Sequence, residues 1–141
     1  SNLRGRLVIE LQKMDIFSDM GAYLFARDYL HDRGYRVCID GLTHLTLPYM
    51  DRDQLGLDMM KMYWSPELVN LQNSDTFARL KENVGSGGPT RIILTRCDND
   101  DAINVGQSMG INMFQGRAMD NILANHTVVY DNRQPKPPPR E

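Results

Sequence analysis

The stretch RIILTRCDNDDAINVGQSMGINMF, residues 91–114, decides the fold class. Residues 91–95 are an apolar run of strand length, the clearest in the chain. Residues 99–109 read as a capped helix that Gly110 brings to an end. Residues 111–114 then offer a short last strand. A strand, a helix and a second strand in that order form a crossover unit, which joins two parallel strands.

The same unit recurs upstream. Leu7-Val8-Ile9-Glu10-Leu11 and Arg36-Val37-Cys38-Ile39-Asp40 are apolar runs that finish near a carboxylate. Residues 57–62 give a weaker strand, because methionine has no strand preference. Between the first two, Ile16, Met20, Tyr23, Leu24, Arg27 and Leu30 recur at three- and four-residue intervals. That spacing predicts one helix over 15–33, stopped by Gly34. Residues 46–54 predict a short helix, and Ser65-Pro66-Glu67 starts another with proline at its first position. Residues 74–84 form a further helix, ended by the Gly/Pro run 85–89, and residues 119–124 add a turn or two. Five strands alternating with helices predict an α/β chain with a parallel sheet. Such folds bind ligands at the carboxyl ends of their strands, here Glu10, Asp40, Lys61 with Met62, Thr95 and Gln115.

Composition narrows the function classes. The chain has 141 residues, room for one domain with a core able to fold alone. It is 41% hydrophobic and 24% charged, a folded rather than a disordered balance. Lys plus Arg number 16 against 18 Asp plus Glu, a net charge of −2, which argues against a dedicated nucleic-acid or anionic-membrane binder. No apolar run approaches the ~18 residues that a spanning helix needs, and no signal-peptide core is present. Cys38 and Cys97 sit in apolar runs and read as reduced core residues of a cytoplasmic protein. Residues 1–4 read as a lead-in, with Ser1-Asn2 a cloning remnant, residues 5–130 as the domain and residues 131–141 as a proline-rich tail.

Taken in order, the segments 7–11, 34–42, 57–62, 91–96 and 110–116 resemble the C-terminal part of an EAL domain. That family is a TIM-like (β/α) barrel that hydrolyses the bacterial second messenger cyclic di-GMP. The resemblance covers about residues 5 to 123 and implies a partial barrel of about five parallel strands. Glu10 stands where the family has a metal-binding carboxylate, and Lys13 where a second carboxylate belongs. A paired Asp-Asp appears as Asp40-Gly41. The Lys-Ile-Asp strand appears as Lys61-Met62-Tyr63, which keeps the lysine and loses the acid. Thr95 opens the segment that carries glutamates in the family, and the Gln-Gly pair is intact as Gln115-Gly116.

The family's hydrolysis resembles a two-ion reaction, in which Mg²⁺ or Mn²⁺ activates water and neutralises the phosphate. These ions need hard oxygen ligands, chiefly carboxylates. Gly41 and Thr95 each remove one, and Glu10 with Asp40 would hold one weak ion at best. Arg96 and Lys13 add nearby positive charge. The resemblance therefore implies a degenerate, non-hydrolytic domain without a metal cofactor, acting as a regulatory or protein-interaction module. The alternative it allows is a receptor that binds cyclic di-GMP without cleaving it. The family's Glu-Ala-Leu segment, with its phosphate-binding Arg, would lie upstream of residue 1. A full barrel needs roughly 250 residues, so open sheet edges invite a homodimer or docking onto other domains of the parent.

Plainer readings stand beside these. Glu10 and Asp40 also suit caps on the following backbone, and Lys61 suits a charge satisfied by Asp40. Gln115-Gly116 equally reads as a strand-to-helix turn. His31, His44 and His126 have no ligand spacing to one another, and only His44 lies near the site loops. Most of the nine methionines fall on core positions. The sequon at Asn125 would stay unmodified in a cytoplasmic chain, and the run 85–88 lacks the lysine of a P-loop. Arg91 and Arg96 are placed either to contact phosphate or to sit as solvated strand ends.

Overall fold

The structure, a computed structural model, describes residues 7–86 and 90–122. Among them, four parallel strands form one sheet in the order β1 (Val8–Gln12), β2 (Arg36–Leu42), β3 (Met59–Tyr63), β4 (Arg91–Thr95). Each strand neighbours the next in chain order, so every connection is a crossover of the kind that a helix fills. Doubly wound sheets instead reverse their order at a switch point.

Helices fill the crossovers. Between β1 and β2 run α1 (Lys13–Phe17) and α2 (Met20–Asp32), where a single helix over 15–33 was expected. The break has a local cause: Asp19 takes an extended conformation and its carboxylate accepts the Ala22 N–H at 3.0 Å, capping a new helix. The expected helix over 46–54 likewise divides, into a 3₁₀ turn (Leu47–Tyr49) and α3 (Arg52–Leu55), because Asp51 caps the second piece. Beyond β3 come α4 (Glu67–Leu71) and α5 (Asp75–Gly85), and beyond β4 comes α6 (Asp100–Ser108), capped by Asn99 as its sequence predicts. Residues 117–122 are helical.

The expected fifth strand is corrected to a single parallel bridge between Phe114 and Leu94. The chain does hydrogen-bond to β4, through Leu94 N–H to Met113 O and Gln115 N–H to Leu94 O, both 2.9 Å. A longer ladder is cut off because Arg96 (φ 62°) and Gly116 (φ 145°) leave the extended region on either side. The tail 131–141, His126, the Asn125 sequon and residues 123–124 lie outside the described residues.

One face of the sheet carries the main core. Val37, Ile39, Met60, Met62, Ile92 and Leu94 point to it and meet Ile16, Tyr23, Leu55, Leu68, Leu80 and Met109 from the helices. The other face holds a small separate cluster of Cys38, Met59 and Ile93 with Met113. Side chains alternate between the faces along each strand, and the second face carries the polar set: Glu10, Lys61, Tyr63 and Thr95.

Polar ties lock helix ends. The Tyr23 hydroxyl donates to Leu55 O at 2.7 Å, and Arg27 donates to Gln54 O and Leu55 O, closing the end of α3. The buried Arg52 guanidinium donates to Asn83 O at 2.7 Å and so holds the end of α5. No helix among the described residues is long and apolar enough to cross a membrane.

Candidate functional site

Toward the carboxyl ends of β2, β3 and β4 lies one cleft of about 340 Å³, lined by Asp40, Lys61, Tyr63, Thr95, Arg96, Gln115 and Gly116. Each lining residue lies in the carboxyl-terminal part of a strand or just beyond one, so the parallel sheet itself brings positions 40, 61, 95 and 115 together. Other depressions, one beside Arg52 and one between Phe77 and Ser108, lie away from the carboxyl ends of the strands.

A bulge shapes the rim. β2 pairs with β3 through Cys38–Met59 and Ile39–Met60 but then through Leu42–Met62, so one extra residue is accommodated at Asp40-Gly41. Gly41 makes this possible at φ 89°, in the left-handed region that side chains disfavour. The Asp40 carboxylate accepts its own neighbour's N–H, from Gly41 at 2.8 Å. A Cβ built on Gly41 would lie 3.5 Å from Gln12 Oε1, 3.9 Å from the Tyr63 hydroxyl oxygen and 4.0 Å from Lys13 Cε. Gln12, Lys13 and Tyr63 thus each border the space beside the glycine.

Glu10 lies on β1, where its Oε2 accepts from Lys61 Nζ at 2.7 Å. Burial opposes the charge on Lys61, but the hydrogen bond and charge of Glu10 outweigh it and hold the ammonium above its ordinary value of 10.5. The sequence reading paired Lys61 with Asp40; the hydrogen-bonded partner is Glu10, one strand further away. Beneath the pair, burial pushes the Cys38 thiol up to about 12, so it is an inert core thiol.

Thr95 is buried, and its hydroxyl donates to Met62 O at 3.3 Å across to β3. Gln115 is exposed at the mouth, with its backbone tied to Leu94 and Cys97. Gly116 follows it for a steric reason. A Cβ there would stand 2.3 Å from the Cys97 nitrogen. The strand-to-helix turn is thus real, and it also lines the cleft.

Sequence reasoning missed the conformation of Arg96. It holds a left-handed backbone (φ 62°), and its guanidinium lies 3.7 Å over the centre of the Tyr63 ring. No residue type signals a left-handed arginine in advance. His44, the histidine nearest the site loops, is buried with Nε2 2.7 Å from Glu67 Oε1, and it ties the loop after β2 to α4 without lining the cleft. His31 is exposed and bonds Asp58 at 2.8 Å, at the opposite end of the strands.

The donor set does not fit a pair of divalent ions. Glu10 is bound to an ammonium, Asp40 to a backbone N–H, and positions 41 and 95 carry no carboxylate. Scanned against models of known protein families, the chain matches none, and a search of curated proteins returns no match.

Proposed function

We propose that the chain is a degenerate EAL-type domain, the C-terminal arc of a partial TIM-like barrel, serving as a non-catalytic interaction module. In this reading it acts in the bacterial cytoplasm, in cyclic di-GMP signalling, and hydrolyses nothing. The observation that carries it is convergence: Asp40, Lys61, Tyr63, Thr95 and Gln115, drawn from four separate motifs, line one cleft at the strand ends. The order β1-β2-β3-β4 supports it too, since barrel strands follow in chain order around the arc.

Loss of hydrolysis follows from ligand chemistry. Two carboxylate positions are Gly41 and Thr95, and the carboxylate of Glu10 is held by Lys61. An interaction role draws on the sheet's edge. Among the described residues β1 is an edge strand, and its first residue Val8 and the preceding Leu7 are 39% and 50% exposed. A second copy, or another domain of a longer parent, would cover that edge.

The test is a diesterase assay on cyclic di-GMP with Mg²⁺ and with Mn²⁺. The expected result is no metal-dependent product; turnover that rises with metal overturns the reading. The alternative, a receptor that binds cyclic di-GMP uncleaved, draws on Lys61 and the Gln115-Gly116 pair lining the cleft. Titration calorimetry separates the two, because an interaction module gives no heat at high micromolar ligand.

A further inference from the structure

We propose that residues 133–140 of this chain's own proline-rich tail strap the outward side of α2, with prolines on Phe25 and Tyr29 and cations on the carboxylates around them. Phe25 and Tyr29 stand one turn apart and are 74% and 48% exposed, although the same helix buries Tyr23. Rings this open contribute little to the chain's own core, and neighbouring exposed aromatics mark a contact surface. The ground beside them is low, because Gly21, Ala22 and Ala26 are exposed and small. A Cβ on Gly21 would meet only Asp19 Oδ1, at 3.6 Å, so no packing among the described residues calls for a glycine there. The Arg33 guanidinium lies on one face of the Tyr29 ring, 3.6 Å from its centre, and steadies that ring at the end of the ridge.

The tail, which lies outside the described residues, has the chemistry that such a ridge selects. Pro135, Pro137, Pro138 and Pro139 each hold φ near about −65°, so the segment gives up little entropy on being held extended. Proline-rich segments are recognised by aromatic-lined surfaces of this kind. Charge decides the occupant. Arg133, Lys136 and Arg140 make the segment basic, while the exposed Asp15, Asp19, Asp28 and Asp32 outnumber the exposed Arg33 along α1 and α2. Asp28 is already shared with Arg27 at 2.7 Å, which leaves the other carboxylates to do most of the attracting. The lengths agree as well. Arg133 and Arg140 would lie about 22 Å apart in an extended proline helix, and Asp19 and Asp32 lie about 20 Å apart along α2. Residues 123–132 join the tail to the helical residues 117–122, which hydrogen-bond to the chain just beyond β4. Ten residues reach up to about 35 Å, whereas β1 and β4 are only about 14 Å apart across the sheet.

This contact depends neither on the kinship proposed above nor on the strand-end cleft. Glu141→Cys in the full chain supplies one exposed thiol for a nitroxide, because Cys38 and Cys97 are buried. Amide NMR peak heights are then compared with the nitroxide active and after its reduction by ascorbate. The expected loss across residues 21–33 is at least twofold greater than in any other element, and it should shrink as sodium chloride is added. Phe25→Ser combined with Tyr29→Ser changes only exposed positions, so it should keep the spectrum of a folded chain and abolish that preference. Losses spread evenly over the surface, losses centred on another element such as β1, or a double variant that behaves like the parent overturn the proposal. So do losses in α2 that appear only in untagged copies mixed with tagged ones, which would assign the ridge to the tail of a second copy.

Discussion

The ion pair between Lys61 and Glu10 makes an asymmetric prediction. Its atoms are 2.7 Å apart, with the lysine side chain 13% exposed and the glutamate 45% exposed. A shielded charge-assisted hydrogen bond contributes about 1.5–3 kcal/mol, whereas an exposed ion pair contributes about 0–1 kcal/mol. Solvent screens the Glu10 side, so the coupling should come to about 1 kcal/mol. Replacing Lys61 by Met keeps the chain's volume, removes the burial penalty and leaves Glu10 facing water. Its cost should stay within about 0.5 kcal/mol. Replacing Glu10 by Gln strands a mostly buried ammonium beside Asp40 alone, and should cost about 1–2 kcal/mol. The double variant should recover to the level of Lys61→Met. Urea unfolding with a shared slope measures all four proteins.

The pH dependence supplies the sign. In the parent, Lys61 sits above 10.5, so its contribution is complete below that pH and lost as pH climbs through the raised value. Without Glu10, burial takes over and lowers it, so the gap between parent and Glu10→Gln should narrow above about pH 10.5. Should Lys61→Met prove the costlier substitution by about 1 kcal/mol, the lysine would not be a burdened charge held by its partner, and the reasoning fails.

Four further outcomes are expected. Burial pushes Cys38 and Tyr23 up to about 12 and Cys97 up to about 11, so the folded chain keeps protons that the unfolded chain releases. Stability should therefore hold level below about pH 9 and fall above it, read from urea midpoints. At pH 8 both thiols should resist a maleimide until the chain unfolds. Gly116→Ala should cost about 3 kcal/mol, since its Cβ would press the Cys97 backbone at 2.3–2.6 Å from a strained φ; an unchanged midpoint would refute the close approach. Gly41→Asp meets only ordinary contacts at 3.5–4.0 Å but must adopt φ 89°, so it should cost about 1 kcal/mol and bring no Mn²⁺-dependent diesterase activity.

What the sequence disclosed followed physical signals that act locally. The strand 91–95 and the helix capped by Asn99 were legible because apolar runs and a capping side chain decide structure within a few residues. The break at Asp19 was hidden, because Asp19 competes with a helical period that continues across it. The last strand was overread: Ile111-Asn112-Met113-Phe114 has the right residues, but its length is set by Arg96 and Gly116, whose backbone angles no composition announces. At the site, positions 40, 61, 95 and 115 could be gathered from strand ends alone, because parallel strands bring their termini to one side. The partner of Lys61 could not, since it depends on which side chain spans the sheet face. Nor could the Arg96 stack.

The second sheet face limits what a partner can be. A parallel sheet is normally covered on both faces, and a doubly wound chain achieves this by sending helices to each side. Among the described residues the helix core gathers on one face, while the other holds the buried Cys38, Met59 and Ile93 with the partly buried Met113. Around them a row runs Glu10, Cys38, Met59, Arg91 across all four strands, with Arg36 beside Val8 at one end. A purely apolar layer laid on that row would strip water from Arg36 and Arg91, and an unpaired buried cation costs more than the apolar contact returns. Whatever covers this face must therefore bring carboxylates toward the amino ends of β2 and β4, or leave them wet. A second copy related by a twofold axis can offer its own exposed Glu10 for that purpose. Arg36→Glu or Arg91→Glu should then weaken such an assembly in sedimentation, and dimerisation indifferent to both would exclude this face as the interface.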